Sequence, residues 1–294
     1  MPDVEIEAIR KTLAARPRPA GLAERRERLD ALGAQYRLPA DVRVVPIEAN
    51  GVPAEWTTTP EAHEARVILF LHGGGYISGS LISHRHMIAE AGRQGRARTL
   101  ALAYRLAPEH PFPAALDDAL SGYALLMAQG VEPERIAIAG ESAGGGLAVA
   151  ALISMRDKGI PLPACAWLSS PWVDLELAGA SMTAKAPVDP LIQRPYLAEL
   201  ARMYLDGTDA RSPLVSPMHA DLKGLPPMLI QVGSAETLLD DAVRLADVAG
   251  TADVRVTLEI WPEMIHAWHL FHPQLAAGRR ALAAVGAFIR SIMG

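Results

Sequence analysis

An α/β fold built on a mostly parallel sheet is predicted by three observations on this chain of 294 residues. Short apolar runs alternate along it with stretches of helical character. Residues 139–146 read Ala-Gly-Glu-Ser-Ala-Gly-Gly-Gly, which puts Ser142 inside Gly140-x-Ser142-x-Gly144. That pentapeptide stands between a run suited to a buried strand, Arg135–Gly140, and one suited to a helix, Gly146–Met155. Such alternation means a parallel sheet covered on both faces, with its ligand crevice beyond the carboxyl ends of the strands.

The elements follow in order. Residues 3–35 are charged and amphipathic, broken at Arg16–Gly21, and predict two helices with Leu22, Leu29 and Leu32 on one side of the second. Asp41–Glu48 alternates as a strand should, and the segment near Trp56 is expected to pair with it through an Asn50-Gly51 turn. Further strands are predicted at Val67–Leu71, Thr99–Ala103, Ile136–Ala139, Ala164–Ser169, Met228–Val232 and Val254–Ile260. Helices are expected near 84–94, 114–128, 143–157, 239–249 and 274–292. Residues 175–225 break the rhythm. They hold no clear strand, and a helix at Pro195–Leu205 places Tyr196, Leu197, Leu200, Met203 and Tyr204 on one side. An insertion at the ligand end of a sheet is expected to act as a lid or cap.

Composition narrows the function classes. Half of the residues are hydrophobic, enough for a sizeable core. Net charge is −5, and the cluster Arg25-Arg26-Glu-Arg28 is expected to be a solvated helix face rather than a nucleic-acid footprint. The single cysteine, Cys165, lies in an apolar run, permits no internal disulfide and fits a reducing compartment. The first residues, Met-Pro-Asp-Val-Glu-Ile-Glu, lack the basic and apolar regions of a secretory signal, and no long uncharged apolar stretch predicts a membrane span. A soluble cytoplasmic protein is expected. The chain has no G-x-x-x-x-G-K-[ST], H-E-x-x-H, Cys/His cluster or placed G-x-G-x-x-G, so no metal or organic cofactor is expected.

Strand, tight turn and helix are the context in which Gly-x-Ser-x-Gly exposes a nucleophile. A serine hydroxyl needs a base, an orienter for that base and donors for an oxyanion. The chain order Ser, acid, His directs the search. The base belongs on the loop after the last strand, where Pro262-Glu-Met-Ile-His266-Ala-Trp-His269 offers His266 first and His269 as its competitor. The other histidines, His63, His84, His86, His110, His219 and His272, sit where no such chemistry is expected. The acid belongs after Met228–Gly233, where Glu236 stands nearest the strand end and Asp240 and Asp241 fit the first turn of the next helix. For the oxyanion, His72-Gly73-Gly74-Gly75-Tyr76 follows the strand Val67–Leu71 directly. Successive glycines let backbone N–H groups turn towards a substrate oxygen, with the N–H of Ala143 as a further donor. His72 is expected to anchor that loop.

His72-Gly-Gly-Gly-Tyr76, the block Tyr104–Asp118, Gly140-Glu-Ser-Ala-Gly-Gly145 and Ser170-Pro-Trp-Val-Asp174 together resemble the hormone-sensitive lipase family of α/β-hydrolases, the bacterial group of small carboxylesterases with an HGG motif. The resemblance runs from about residue 65 to the C-terminus. It implies an eight-stranded, mostly parallel sheet in residues 41–174 and 226–294, under a cap made of residues 1–40 and the 175–225 insertion. It implies Ser142, Glu236 and His266 as triad, with Gly74, Gly75 and Ala143, and also Gly73, as donors. Much of the family carries Asp where this chain has Glu236, and a subgroup with Gly-Ser-x-Glu-x-Leu-Leu-Asp-Asp is more similar. The prolines and Arg105 of the Tyr104–Asp118 block are expected to be architectural. The expected activity is hydrolysis of small-molecule esters of short to medium acyl chain, with Tyr76, Met203 and Tyr204 in a closed pocket. Some relatives open lactone rings, which keeps a lactone hydrolase as the alternative. Plant gibberellin receptors are similar too but lack the histidine that His266 provides here. By the same resemblance, two copies are expected to pair through the last strand.

Overall fold

The computed structural model describes residues 4–16, 19 and 21–294. The break predicted at Arg16–Gly21 lies mostly outside them. Two helices, α1 (Val4–Ala14) and α2 (Leu22–Ala34), precede the hairpin of β1 (Arg43–Ala49) and β2 (Val52–Thr58). Ala49 faces Val52 across the expected turn, where Asn50 and Gly51 take φ values of 51° and 90°, the pattern of a two-residue hairpin turn.

Then come β3 (His63–Leu71), α3 (Leu81–Gly95), β4 (Ala97–Leu102), α4 (Ala114–Ala128), β5 (Ile136–Glu141), α5 (Ala143–Asp157) and β6 (Cys165–Ser169). The chain continues through α6 (Ser181–Ala184), α7 (Arg194–Leu205), β7 (Met228–Gly233), α8 (Leu239–Thr251), β8 (Val256–Trp261) and α9 (Ala276–Met293). The strands form one eight-stranded sheet in the order β1-β2-β4-β3-β5-β6-β7-β8. β2 runs antiparallel to both neighbours, and every pair from β4 to β8 is parallel.

Alternation along the central strands feeds two cores. Val67, Leu69 and Leu71 of β3 point into the layer that includes α4, α5 and α8, while Ile68 and Phe70 point to the side of α3 and α9. This is the period-2 pattern of a strand buried on both faces. Cys165 lies in the second core with its thiol buried, as its apolar surroundings in the sequence imply.

Most boundaries differ from expectation by one to three residues. The largest shift is at β3, which starts at His63 rather than Val67, and the next is at α3, which starts at Leu81 rather than near 84. Ser80 caps it: the Ser80 side chain accepts from the N–H of Ile82 and Ser83, and the Ser83 hydroxyl accepts from the N–H of Ser80. β8 starts at Val256, because Asp253 (φ 60°) turns and the N–H of Val254 bonds back to Ala249.

Polar stitches hold α2 against the rest. Arg25 forks onto Glu199 of α7 at 3.0 Å on both oxygens. Arg26 donates to the carbonyls of Ile77 and Ala107 and forks onto Glu109. The Ser80 hydroxyl donates to Asp30 at 2.5 Å. The solvated face expected at Arg25 and Arg26 is therefore a docking face, because the carboxylates and carbonyls that meet these arginines arrive from elements distant in sequence. None of the described helices is long and apolar enough to cross a membrane.

Candidate active site

Ser142 stands between β5 and α5 with φ 54° and ψ −120°. The glycines around it are required by close backbone approach. A Cβ on Gly140 would fall 2.1 Å from the Gly144 carbonyl, and one on Gly144 would fall 2.1 Å from the Leu71 carbonyl. Neither backbone can give way, so Gly144→Ala is expected to destabilise the protein by about 3 kcal/mol, read as a lower urea midpoint. An unshifted midpoint contradicts this packing.

The base and acid candidates meet the serine in order. His266 Nε2 lies 3.0 Å from Ser142 Oγ, and its Nδ1 lies 2.7 Å from Glu236 Oε2. The other oxygen of Glu236 accepts from the N–H of Gly233 at 2.6 Å and from the Ser170 hydroxyl at 2.8 Å. Glu236 is fully buried and held from three sides. The structure brings neither alternative acid to the histidine. Asp240 accepts from the N–H of Ser181, and Asp241 accepts from the N–H of Val173 and Asp174. His269 is in the core, its ring nitrogens 2.8 Å from Ser169 Oγ and 2.8 Å from Gln231 Oε1. Burial lowers its pKa to about 3, so it stays neutral.

The glycine run bends as the sequence predicts, but not every N–H turns inward. Gly74 and Gly75 adopt φ values of 115° and 64°, and both border the cavity above Ser142. Among the described residues no backbone hydrogen bond uses the N–H of Gly74, Gly75 or Ala143. Gly73 departs from its expected role. Its N–H points at His84 Nε2, 3.3 Å away, and it does not border the cavity. His72 stacks on Tyr104 with ring centroids 4.2 Å apart, and its Nδ1 lies 2.8 Å from the Gly73 carbonyl. Burial lowers its pKa to about 3, which suits a neutral structural ring.

Above these groups opens a cavity of about 240 Å³. Its apolar walls include Leu29 and Leu32 of α2, Leu197 and Leu200 of α7, and Leu270 and Phe271 after His266. Tyr76, Met203 and Tyr204 do not line it, contrary to the sequence expectation. Tyr76 and Tyr204 stack face to face with centroids 3.7 Å apart and are buried in the core. Only the first turns of α7 reach the cavity. The last turn packs onto Tyr76, and the Tyr204 carbonyl accepts from the N–H of Phe112. Helical spacing identifies one buried stripe but cannot divide it between core and cavity.

Two further residues escape the sequence search. Ser170 orients Glu236, and Glu141 lies beside His266. Glu141 Oε1 is 3.3 Å from His266 Nε2, and its Oε2 is 3.0 Å from His84 Nε2. The available signal was a charged residue closing an otherwise apolar strand immediately before the nucleophile. Burial raises the Glu141 pKa, but the hydrogen bonds and charges of His266 and His84 outweigh it and bring it down to about 2. Burial likewise opposes charge on His266, but Glu141 and Glu236 overcome it and hold that histidine above its ordinary range. Asp174, Glu176 and His219 are the one group of possible metal ligands among the described residues. The Asp174 carboxylate there already accepts from Arg244 and from the N–H groups of Glu176 and Ala178.

Known proteins share this architecture. The chain matches the alpha/beta hydrolase fold family over residues 68–270. It is 52% identical over 241 residues to an acetyl-hydrolase of Streptomyces hygroscopicus, covering 82% of this chain and 80% of that one. It is 34% identical over 265 residues to an esterase of Acinetobacter venetianus, covering 90% and 87%. The crystal structure of an esterase from the bacterial hormone-sensitive lipase family superposes with a TM-score of 0.97 at 42% identity, covering all of both chains. The chain belongs to the alpha/beta hydrolase family, in its hormone-sensitive lipase branch of carboxylic ester hydrolases.

Proposed function

We propose that this protein is a serine carboxylesterase acting on esters of short to medium acyl chain. The observation that carries the reading is the relay from Glu236 through His266 to Ser142, with steps of 2.7 and 3.0 Å, at the floor of an apolar cavity.

His266 takes the Ser142 proton as Oγ attacks the ester carbonyl, and Glu236 fixes the imidazole and stabilises its charge. The carbonyl oxygen becomes an oxyanion, bound by the N–H groups of Gly74, Gly75 and Ala143. These are donors with no other partner among the described residues. His266 then protonates the leaving alcohol. Water enters, gives its proton to the same nitrogen and attacks the acyl-enzyme. The acid leaves and Ser142 recovers its proton. The names of the esterase and acetyl-hydrolase relatives support this reaction class.

The leucine-rich walls and modest volume of the cavity favour short acyl groups over long ones. A panel of p-nitrophenyl esters from acetate to palmitate tests both levels. Highest kcat/KM among the short and medium chains is expected. A maximum at palmitate removes the chain-length assignment, and no turnover by folded protein removes the esterase assignment.

A further inference from the structure

Glu141 presents a second carboxylate to the histidine of the relay. Glu236 meets Nδ1, whereas Glu141 Oε1 lies 3.3 Å from Nε2, the same nitrogen that meets Ser142 Oγ at 3.0 Å. Glu141 is 3% exposed, so water does not carry its charge. A buried carboxylate of this kind persists only where partners replace its hydration.

Those partners come from two elements, with a third imidazole behind one of them. His84 of α3 meets Oε2, with its Nδ1 in turn 2.7 Å from the Ser83 hydroxyl. His266 arrives from the loop after β8. His72, on the glycine loop, has its ring centroid 5.8 Å from that of His84 and stays neutral through burial. Glu236 is reached only through His266. Glu141 forms no ion pair with arginine or lysine among the described residues. Its side-chain partners are therefore imidazoles alone, one of them the base of the relay.

On the serine-hydrolase reading above, we propose that Glu141 is a positioning residue that holds the proton-carrying edge of His266 and thereby sets the pH window of the reaction. The physical reason is direct. A carboxylate within hydrogen-bond reach of Nε2 favours the imidazolium, which donates to it, over the neutral ring, whose lone pair it repels. Only the neutral ring accepts the Ser142 proton. At low pH Glu141 keeps the base charged and idle. As pH rises the proton leaves and Nε2 turns fully to the serine. Once attack begins, the same carboxylate stabilises the imidazolium that forms, so its charge delays the onset of activity with pH while supporting the transition state. Through His84, whose Nε2 also faces the Gly73 N–H, the carboxylate shares this anchor with the glycine loop.

The experiment is the pH profile of kcat/KM for p-nitrophenyl butyrate in the wild type, Glu141→Gln and Glu141→Asp. The acidic limb of this profile reports the free-enzyme base. In Glu141→Gln the limb is expected to move to lower pH by about one to three units. Glu141→Asp keeps the charge on an arm one methylene shorter, and its limb is expected between the other two. A limb that stays in place while the plateau falls overturns the inference, since a merely structural role lowers the plateau alone. If Glu141→Gln does not fold, judged by its thermal melt, Glu141→Asp decides by the same criterion. An active wild type with an unmoved limb removes only this inference. A folded but inactive wild type removes the esterase reading with it.

Discussion

Ser142→Ala is expected to lower kcat for p-nitrophenyl esters by on the order of 10⁶. The expectation rests on what the hydroxyl does and does not touch. Its one hydrogen-bond partner among the described side chains is His266, so removing it ends nucleophilic attack without orphaning a buried group elsewhere. Alanine keeps the Cβ and bears the same positive φ that serine already bears. The variant should therefore unfold within about 1 kcal/mol of the wild type, with chemistry lost and structure kept. Residual turnover above the uncatalysed rate would come from the N–H groups of Gly74, Gly75 and Ala143 together with the cavity. A fluorophosphonate probe, mapped by mass spectrometry, should label Ser142 in the wild type and nothing in the variant. A rate near that of the wild type removes Ser142 as nucleophile.

Glu236→Ala carries the second largest expected loss, on the order of 10⁴ in kcat. Here chemistry and stability fall together. The imidazole loses its Nδ1 partner, while the Gly233 N–H and the Ser170 hydroxyl lose their acceptor in a buried place. Asp240→Ala and Asp241→Ala supply the contrast. Asp241 accepts two backbone N–H groups near Val173, so its loss should appear in the melting curve and only weakly in kcat. Measuring kcat and urea melts for all three variants separates the roles. Equal or deeper kcat loss at Asp240 or Asp241 would reassign the acid.

The sheet was legible in the sequence because both cores impose their own periods. β3 reads as continuous apolar sequence since both its faces are covered, and the Asn50-Gly51 turn carries its conformation in its residue types. The site was legible where chemistry is tied to a strand end. Ser142, Glu236 and His266 each follow a recognisable strand, and the structure brings these three together. Legibility failed where a choice depends on what approaches from far away in sequence. The N–H of Gly73 was expected at the oxyanion but faces His84, a residue of α3 that no local pattern connects to it. Tyr76 and Tyr204 were expected in the pocket but stack on each other, because α7 tilts only its first turns over the serine. Glu141 went unread since a Gly-x-Ser-x-Gly motif treats its neighbour as a free position. Three-dimensional contact with two imidazoles gives it meaning.

The stitching of α2 has a consequence for how selectivity can change. Leu29 and Leu32 wall the cavity, yet the helix that carries them is fastened by Arg25, Arg26 and Asp30 rather than fused into the sheet. The reacting atoms sit at strand ends, where a backbone shift is felt throughout both cores. The wall is a bolted panel and the reaction centre is part of the frame. Substitutions at Leu29 and Leu32 can thus resize what the protein admits while leaving untouched the machinery that cleaves it.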